Sequence, residues 1–125
     1  MHENDLSYII RGAAFNVHST LGPGLLESVY ETAVAHELRK KGIEVRSQVA
    51  LPVVYDEIKM DQGFRLDLLV NKKVIVEIKS VDALLDVRHK QLLTYLKLSN
   101  LKLGLLINFN CTDLNKSMTR IVNKL

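Results

Sequence analysis

Two neighbouring stretches decide how this chain reads: Phe64-Arg65-Leu66-Asp67-Leu68-Leu69-Val70, and Val74-Ile75-Val76-Glu77-Ile78-Lys79. Both alternate with period two, which marks strands. One face carries Phe64, Leu66, Leu68 and Val70, then Val74, Val76 and Ile78. The other carries Arg65, Asp67 and Leu69, then Ile75, Glu77 and Lys79. The apolar faces coincide only if even-numbered residues pair with even-numbered ones, because a one-residue slip would turn each set to the wrong side. The simplest such register has a three-residue loop over 71–73 and Val70 opposite Val74. Asp67 then faces Glu77, with Cβ atoms roughly 5 Å apart. Lys79 follows on the same face.

Two carboxylates that close repel unless something positive joins them. A divalent cation answers this. Hard oxygen ligands favour Mg²⁺ or Mn²⁺, and the Ile78 carbonyl offers one more oxygen. Such a site with a lysine beside it suits phosphodiester hydrolysis. The ion activates water and polarises phosphate, and Lys79 positions the nucleophile or stabilises developing charge. The competing reading makes Arg65, Asp67, Glu77 and Lys79 the solvated face of an amphipathic hairpin, with ion pairs worth a few tenths of a kcal/mol. Leu69 and Ile75 share the charged face, so one end of it must be covered, which favours the site.

Working outward, a helix is expected over about 5–20, capped by Asp5 or Ser7, with Ile9, Ile10, Ala13, Ala14 and Val17 as its apolar stripe. Gly22-Pro23-Gly24 breaks it. A second helix is expected over 25–41, ending at Gly42. Strands follow over 43–55, 59–70 and 74–80, with Pro52 marking the first as an edge or bulged strand. A helix over 82–98, a strand over 102–109 and a short element over 118–122 complete the order ααβββαβ(β). This is an α/β fold with a central mixed sheet flanked by helices. The 125 residues fit one domain, 1–125.

Composition narrows the function classes. Hydrophobic residues are 47% and charged residues 25%, ordinary for a globular chain. A single cysteine, Cys111, excludes a disulfide framework or a cysteine zinc site. The net charge of +3 permits an anionic partner, and Lys97, Lys102, Lys116, Arg120 and Lys124 face only Asp113 as an acid towards the end of the chain. The longest stretch free of Asp, Glu, Lys and Arg, residues 12–26, is too short to span a bilayer. Glu3 and Asp5 stand where a signal peptide wants positive charge. A soluble, cytoplasmic protein without membrane contact is expected.

Asp67 followed by Glu77-Ile78-Lys79 resembles the D…(D/E)-x-K core of the PD-(D/E)XK nuclease superfamily, although Leu66 stands where its proline would be. Gly24-Leu25-Leu26-Glu27-Ser28-Val29-Tyr30 is similar to the signature of the GxxExxY protein family, a group within that superfamily. Leu21-Gly22-Pro23 before it and Asn108-Phe109 also resemble that family. Gln91-Leu92-Leu93-Thr94-Tyr95 resembles the Q-x-x-x-Y helix motif of RecB-like nucleases. The resemblance covers nearly the whole chain. It implies a restriction-endonuclease-like core and a Mg²⁺- or Mn²⁺-dependent nuclease acting on DNA, with RNA second. It implies Asp67 and Glu77 as metal acids, Lys79 as catalytic lysine, and Glu27 as an acid from an N-terminal helix completing or orienting the metal shell. Gln91 and Tyr95, with Tyr30 in support, would line the site or hold nucleic acid. The alternative is a catalytically silent module of the same fold that binds nucleic acid or a protein partner.

Blander readings stand beside these. Glu27 suits a helix start for its charge alone. Gln91 and Tyr95, at i and i+4, suit a helix surface, and Tyr95 also suits a core. His89 reads as solvent-facing, His18 as a cap or turn contact, Gly22 and Gly24 as turn formers, and Cys111 as inert. The alternating strand around Pro52 suggests an exposed edge, hence a homodimer.

Overall fold

Apolar spacing of 3.6 gives way to spacing of two after Gly42, and the elements change with it. The computed structural model describes residues 1–125, the side chain of Gln62 excepted. Its order is α1 (Glu3–Leu21), α2 (Glu27–Lys40), β1 (Val45–Tyr55), β2 (Ile58–Val70), β3 (Val74–Lys79), α3 (Asp86–Ser99), β4 (Leu103–Asn108), a 3₁₀ turn (Leu114–Lys116) and β5 (Met118–Val122). The expected α/β class and order hold. The strands form one five-stranded sheet, β1-β2-β3-β4-β5, antiparallel throughout except for the parallel β3–β4 pair that α3 bridges.

Two boundaries differ from expectation for identifiable reasons. α1 starts earlier because His2, not Asp5 or Ser7, caps it, its Nδ1 accepting from the Asn4 N–H at 3.0 Å. α3 starts at Asp86, not near 82, because the preceding connection is pinned to β4. The Asn108 amide donates to the Val81 carbonyl at 2.9 Å and accepts from the Val81 N–H at 3.1 Å.

Helices cover both faces of the sheet. Leu6 and Ile10 of α1 and Val34 and Leu38 of α2 pack with Leu68, Val70, Val74, Val76 and Ile78. On the other side Leu92 and Leu96 of α3 pack with Leu66, Leu69, Ile75 and Leu106. A Cβ at Gly104 would lie 2.9 Å from the Leu92 side chain, so only glycine lets α3 settle this close to β4.

The hairpin register is as expected: Val70 pairs with Val74, Leu69 with Ile75 and Leu68 with Val76. Left-handed Asn71 and Lys72 make the turn. The single alternation assumed along β2 fails, however. Phe64 and Leu66 belong with Leu69 and Ile75 under α3, not with Leu68 and Val70. The cause lies where β1 meets β2. Ser47 pairs with Leu68 and Val49 with Leu66, but the intervening pair, Gln48 and Asp67, is missing from the ladder. Gln48 has φ +52°. The pleat breaks there, and Val45 and Val49, four apart on one strand, enter opposite cores.

A second break shapes the site. Pairing of β2 with β3 stops at Leu68 and Val76; β2 continues against β1 alone and β3 against β4. The sheet therefore opens into a wedge, and Asp67 and Glu77 stand at its vertex. Farther along, the β1–β2 register shifts between Leu51 and Val53, at Pro52, and β1 is an edge strand, as its proline indicates.

Candidate active site

At the vertex, side chains replace the missing rung. Asp67 Oδ2 accepts from the Ile78 N–H at 2.8 Å, and Glu77 Oε1 accepts from the Asp67 N–H at 3.4 Å. The cross-strand opposition of Asp67 and Glu77 is thus present, bridged through side chains and not through the backbone ladder. Glu77 is only 6% exposed. Burial first, then the Asp67 charge and a hydrogen bond shared with Asp67, push the Glu77 carboxyl up to about 9, against a smaller opposing pull from Lys79. Without a cation at neutral pH, Glu77 keeps its proton.

Lys79 ends β3, half-buried. Among the described residues no carboxylate oxygen lies within ion-pair distance of its ammonium; the ion pairs present are Lys40–Glu37 and Lys59–Asp61. Its backbone carbonyl accepts from the Phe109 N–H at 2.9 Å, towards β4. By strand alternation the Ile78 carbonyl, like the Ile78 N–H, then points into the wedge.

α2 meets the site through its first turns. Glu27 Oε2 accepts from the Ser80 N–H at 3.2 Å, and Ser80 Oγ donates to the Leu25 carbonyl at 2.7 Å, tying the start of the helix to the end of β3. The structure does not draw Glu27 into one group with Asp67 and Glu77: among the described residues no three His, Cys, Asp or Glu side chains converge as a metal site. Sequence reasoning missed Glu31, one turn further on. Burial raises its carboxyl, the Gln48 hydrogen bond opposes this, and the Asp67 and Glu27 charges raise it further. Gln48 Nε2 donates to both Glu31 oxygens, at 3.2 and 2.9 Å. The i,i+4 spacing from Glu27 was the available signal.

α3 supplies the opposite wall. The Tyr95 phenol is raised by burial first, then by the charges of Glu77 and Asp67, while Arg88 and Gln91 hold it down. Its ring stacks on Phe64, centroids 4.3 Å apart. Gln91 and Tyr95 line one groove with Phe64, and of the two it is the Tyr95 phenol that feels the charges of Glu77 and Asp67.

Tyr30 does not. It is fully buried. Its hydroxyl donates to the Gly22 carbonyl at 2.6 Å and accepts from the Leu25 N–H at 3.1 Å, and its ring stacks on Phe109, centroids 4.5 Å apart. The nucleic-acid role expected for Tyr30 is corrected to a structural one: it clamps the turn that launches α2, where Gly24 has φ +93°.

The remaining candidates fall into place. His18 Nε2 lies 2.9 Å from the Cys111 carbonyl, a turn contact, and 3.8 Å from Cys111 Sγ, so the cysteine has a histidine neighbour that spacing concealed. His89 is half-buried against Thr119 at 3.4 Å, not solvent-facing. Arg120, in the basic stretch, donates to the Asn4 side chain.

Two carboxylates and a carbonyl form a hard-oxygen donor set that could hold a divalent cation. Buried Glu77 beside half-buried Asp67, with no ion-paired cation on either among the described residues, supports the same fit.

The model of a protein family, the PD-(D/E)XK nuclease superfamily, matches residues 4–121. No curated protein and no solved structure shows significant similarity to the chain.

Proposed function

The chain belongs to the PD-(D/E)XK nuclease superfamily, and from that premise we propose that it is a Mg²⁺- or Mn²⁺-dependent nuclease that hydrolyses phosphodiester bonds in DNA, with RNA the lesser substrate. The observation that carries this is buried Glu77 set against half-buried Asp67 at the wedge vertex, with Asp67 bound to the Ile78 N–H and Lys79 two residues beyond Glu77. Asp67, Glu77 and the Ile78 carbonyl would hold the ion, Glu77 giving up its proton to do so. A divalent ion at such a site supplies Lewis acidity to the phosphate and lowers the pKa of water. Lys79 places its ammonium beside the phosphate, orienting the attacking water and stabilising charge on the phosphate oxygens. The new P–O bond forms as that water gives a proton to bulk solvent; the bond to the leaving sugar oxygen breaks and that oxygen takes a proton from solvent. Glu27 acts through Ser80, fixing the end of β3 on which Lys79 sits, and Gln91 and Tyr95 line the α3 wall against the bound strand.

A panel of labelled single- and double-stranded DNA and RNA, incubated with Mg²⁺ or Mn²⁺, tests this. Lys79→Ala should slow cleavage roughly a hundredfold, the scale of losing one preorganised electrostatic group. It should leave stability within about 1 kcal/mol. No cleavage of any substrate, or wild-type cleavage by Lys79→Ala, overturns the reading.

This reading takes residues 1–125 as one domain of the GxxExxY type, acting in the cytoplasm. No described helix is long and apolar enough to cross a membrane. It includes a homodimer along edge strand β1, whose hairpin tip exposes Val54, Tyr55 and Ile58. Light scattering at micromolar concentration should show twice the 14.2 kDa chain mass; a monomer alone removes the dimer.

A further inference from the structure

Gln48 sits mid-strand in a left-handed backbone conformation, φ +52°, that side chains other than those of Gly, Asn and Asp rarely adopt. Two observations suggest what keeps it there. Its amide donates to both oxygens of Glu31, anchoring the kink to α2. Its own carbonyl accepts from Arg65 Nη1 at 3.4 Å. The kink falls opposite Asp67, which has no β1 partner although Leu66 and Leu68 on either side of it do. Beyond it the pleat is inverted, so that Leu66 and Leu68 enter opposite cores. At the kink itself the Asp67 carboxylate takes the Ile78 N–H of β3, a backbone donor that a continued ladder would give to a carbonyl of β2.

Resting on the nuclease reading for its consequence but not for its geometry, we propose that Gln48 is a positioning residue for Asp67. Its left-handed backbone breaks the strand where Asp67 must leave the ladder and turn to β3, and its amide, bound to Glu31, holds that break in place. Backbone strain stored beside a reaction centre and stabilised by surrounding contacts is the pattern expected where geometry has been set by function. Gln48 acts through Asp67; it touches neither the ion nor the scissile bond.

The backbone claim separates two substitutions that a plain side-chain role would not. Gln48→Gly adopts φ +52° without strain and has no need of the Glu31 anchor. Gln48→Ala loses the anchor and keeps the Cβ penalty, so β1 relaxes towards a regular strand. The Ile78 amide reads the outcome directly, because its protection from hydrogen exchange depends on the Asp67 carboxylate. Measured by NMR without metal, Ile78 exchange should quicken at least tenfold in Gln48→Ala, relative to Val76 in the same chain, and stay within about threefold of wild type in Gln48→Gly. Mn²⁺ affinity, followed by electron paramagnetic resonance, should split the two variants the same way. Cleavage by Gln48→Ala should lose kcat about tenfold with KM within about twofold.

Unchanged Ile78 exchange in Gln48→Ala, or equal acceleration in both variants, overturns the proposal. If Gln48→Ala does not fold, Gln48→Gly decides alone: wild-type Ile78 exchange supports backbone positioning and a tenfold rise overturns it. Absence of cleavage by the wild-type protein counts against the nuclease reading only, since exchange reports the position of Asp67 without catalysis.

Discussion

Two tyrosines, each stacked almost flat on a phenylalanine, stand in opposite cores of this molecule. Tyr30 lies on Phe109 with centroids 4.5 Å apart and planes at 10°; Tyr95 lies on Phe64 at 4.3 Å and 9°. Their ring geometry is nearly the same and their surroundings are not. Tyr30 is sealed, with its hydroxyl bound to two backbone groups of the Gly22–Leu25 turn. Tyr95 is half-buried, and its phenol feels the charges of Glu77 and Asp67. An aromatic in a sequence motif can therefore serve either architecture or chemistry. The partners of its hydroxyl, not those of its ring, tell which.

The comparison breaks most visibly at the sealed pair. Tyr30→Ala should cost about 3–5 kcal/mol, the range for truncating a buried aromatic, read as a lower urea midpoint. A loss below about 1 kcal/mol would show that the clamp is dispensable.

At the open pair the larger effect is in pH dependence. Unfolded, Glu77 titrates near its ordinary 4.5; folded and metal-free, it holds its proton up to about 9. Across that window the folded state binds more protons than the unfolded chain, so this contribution is fully present below about pH 4.5 and is lost as pH rises towards 9. The metal-free protein should therefore melt at progressively lower temperature from about pH 5 to pH 9. Glu77→Gln should flatten this slope, and Mn²⁺ should compress it in the wild type by binding the ionised pair. A slope unaltered in Glu77→Gln would assign the effect elsewhere.

The smallest expected effect sharpens the contrast. Tyr95→Phe keeps the stack on Phe64 and should change stability by less than about 1 kcal/mol. It should reduce cleavage by roughly tenfold or less, the loss of one hydrogen-bonding group beside the acids. If Tyr95→Phe instead destabilised the protein by several kcal/mol, the two tyrosines would be doing the same work.

Much of this was legible from alternation and period. The order of elements follows from the change of period and the glycine and proline breaks, and the three-residue loop and the meeting of Asp67 with Glu77 from the demand that apolar faces coincide. What escaped was every place where a local rule is overridden by a contact distant in sequence. Gln48 carries no turn signature, and its left-handed backbone is fixed by α2. Unbroken alternation groups Phe64 and Leu66 with Leu68 and Val70, and the break opposite Asp67 turns them to the other side. Glu31 offers no signal beyond its spacing from Glu27, because Gln48 reaches it only once β1 is folded against α2. Tyr30 was read with the site because it shares a motif with Glu27, but its neighbours are a turn and Phe109. His18 and Cys111 are separated by most of the chain and meet at its far end.

The parallel pairing of β3 with β4 bears on when the site comes into being. The β1–β2–β3 meander is built from contacts local in sequence, whereas the second flank of β3 waits for α3 and for residues 103–108 to return. Glu77 is dehydrated only after that long closure, so the electrostatic cost of placing it beside Asp67 falls late along the folding route. Changes to the pair should then appear mainly as altered unfolding rates, with the rate of folding nearly untouched. An acid pair placed at the seam between a local and a non-local strand pairing leaves the early nucleus free of its own repulsion.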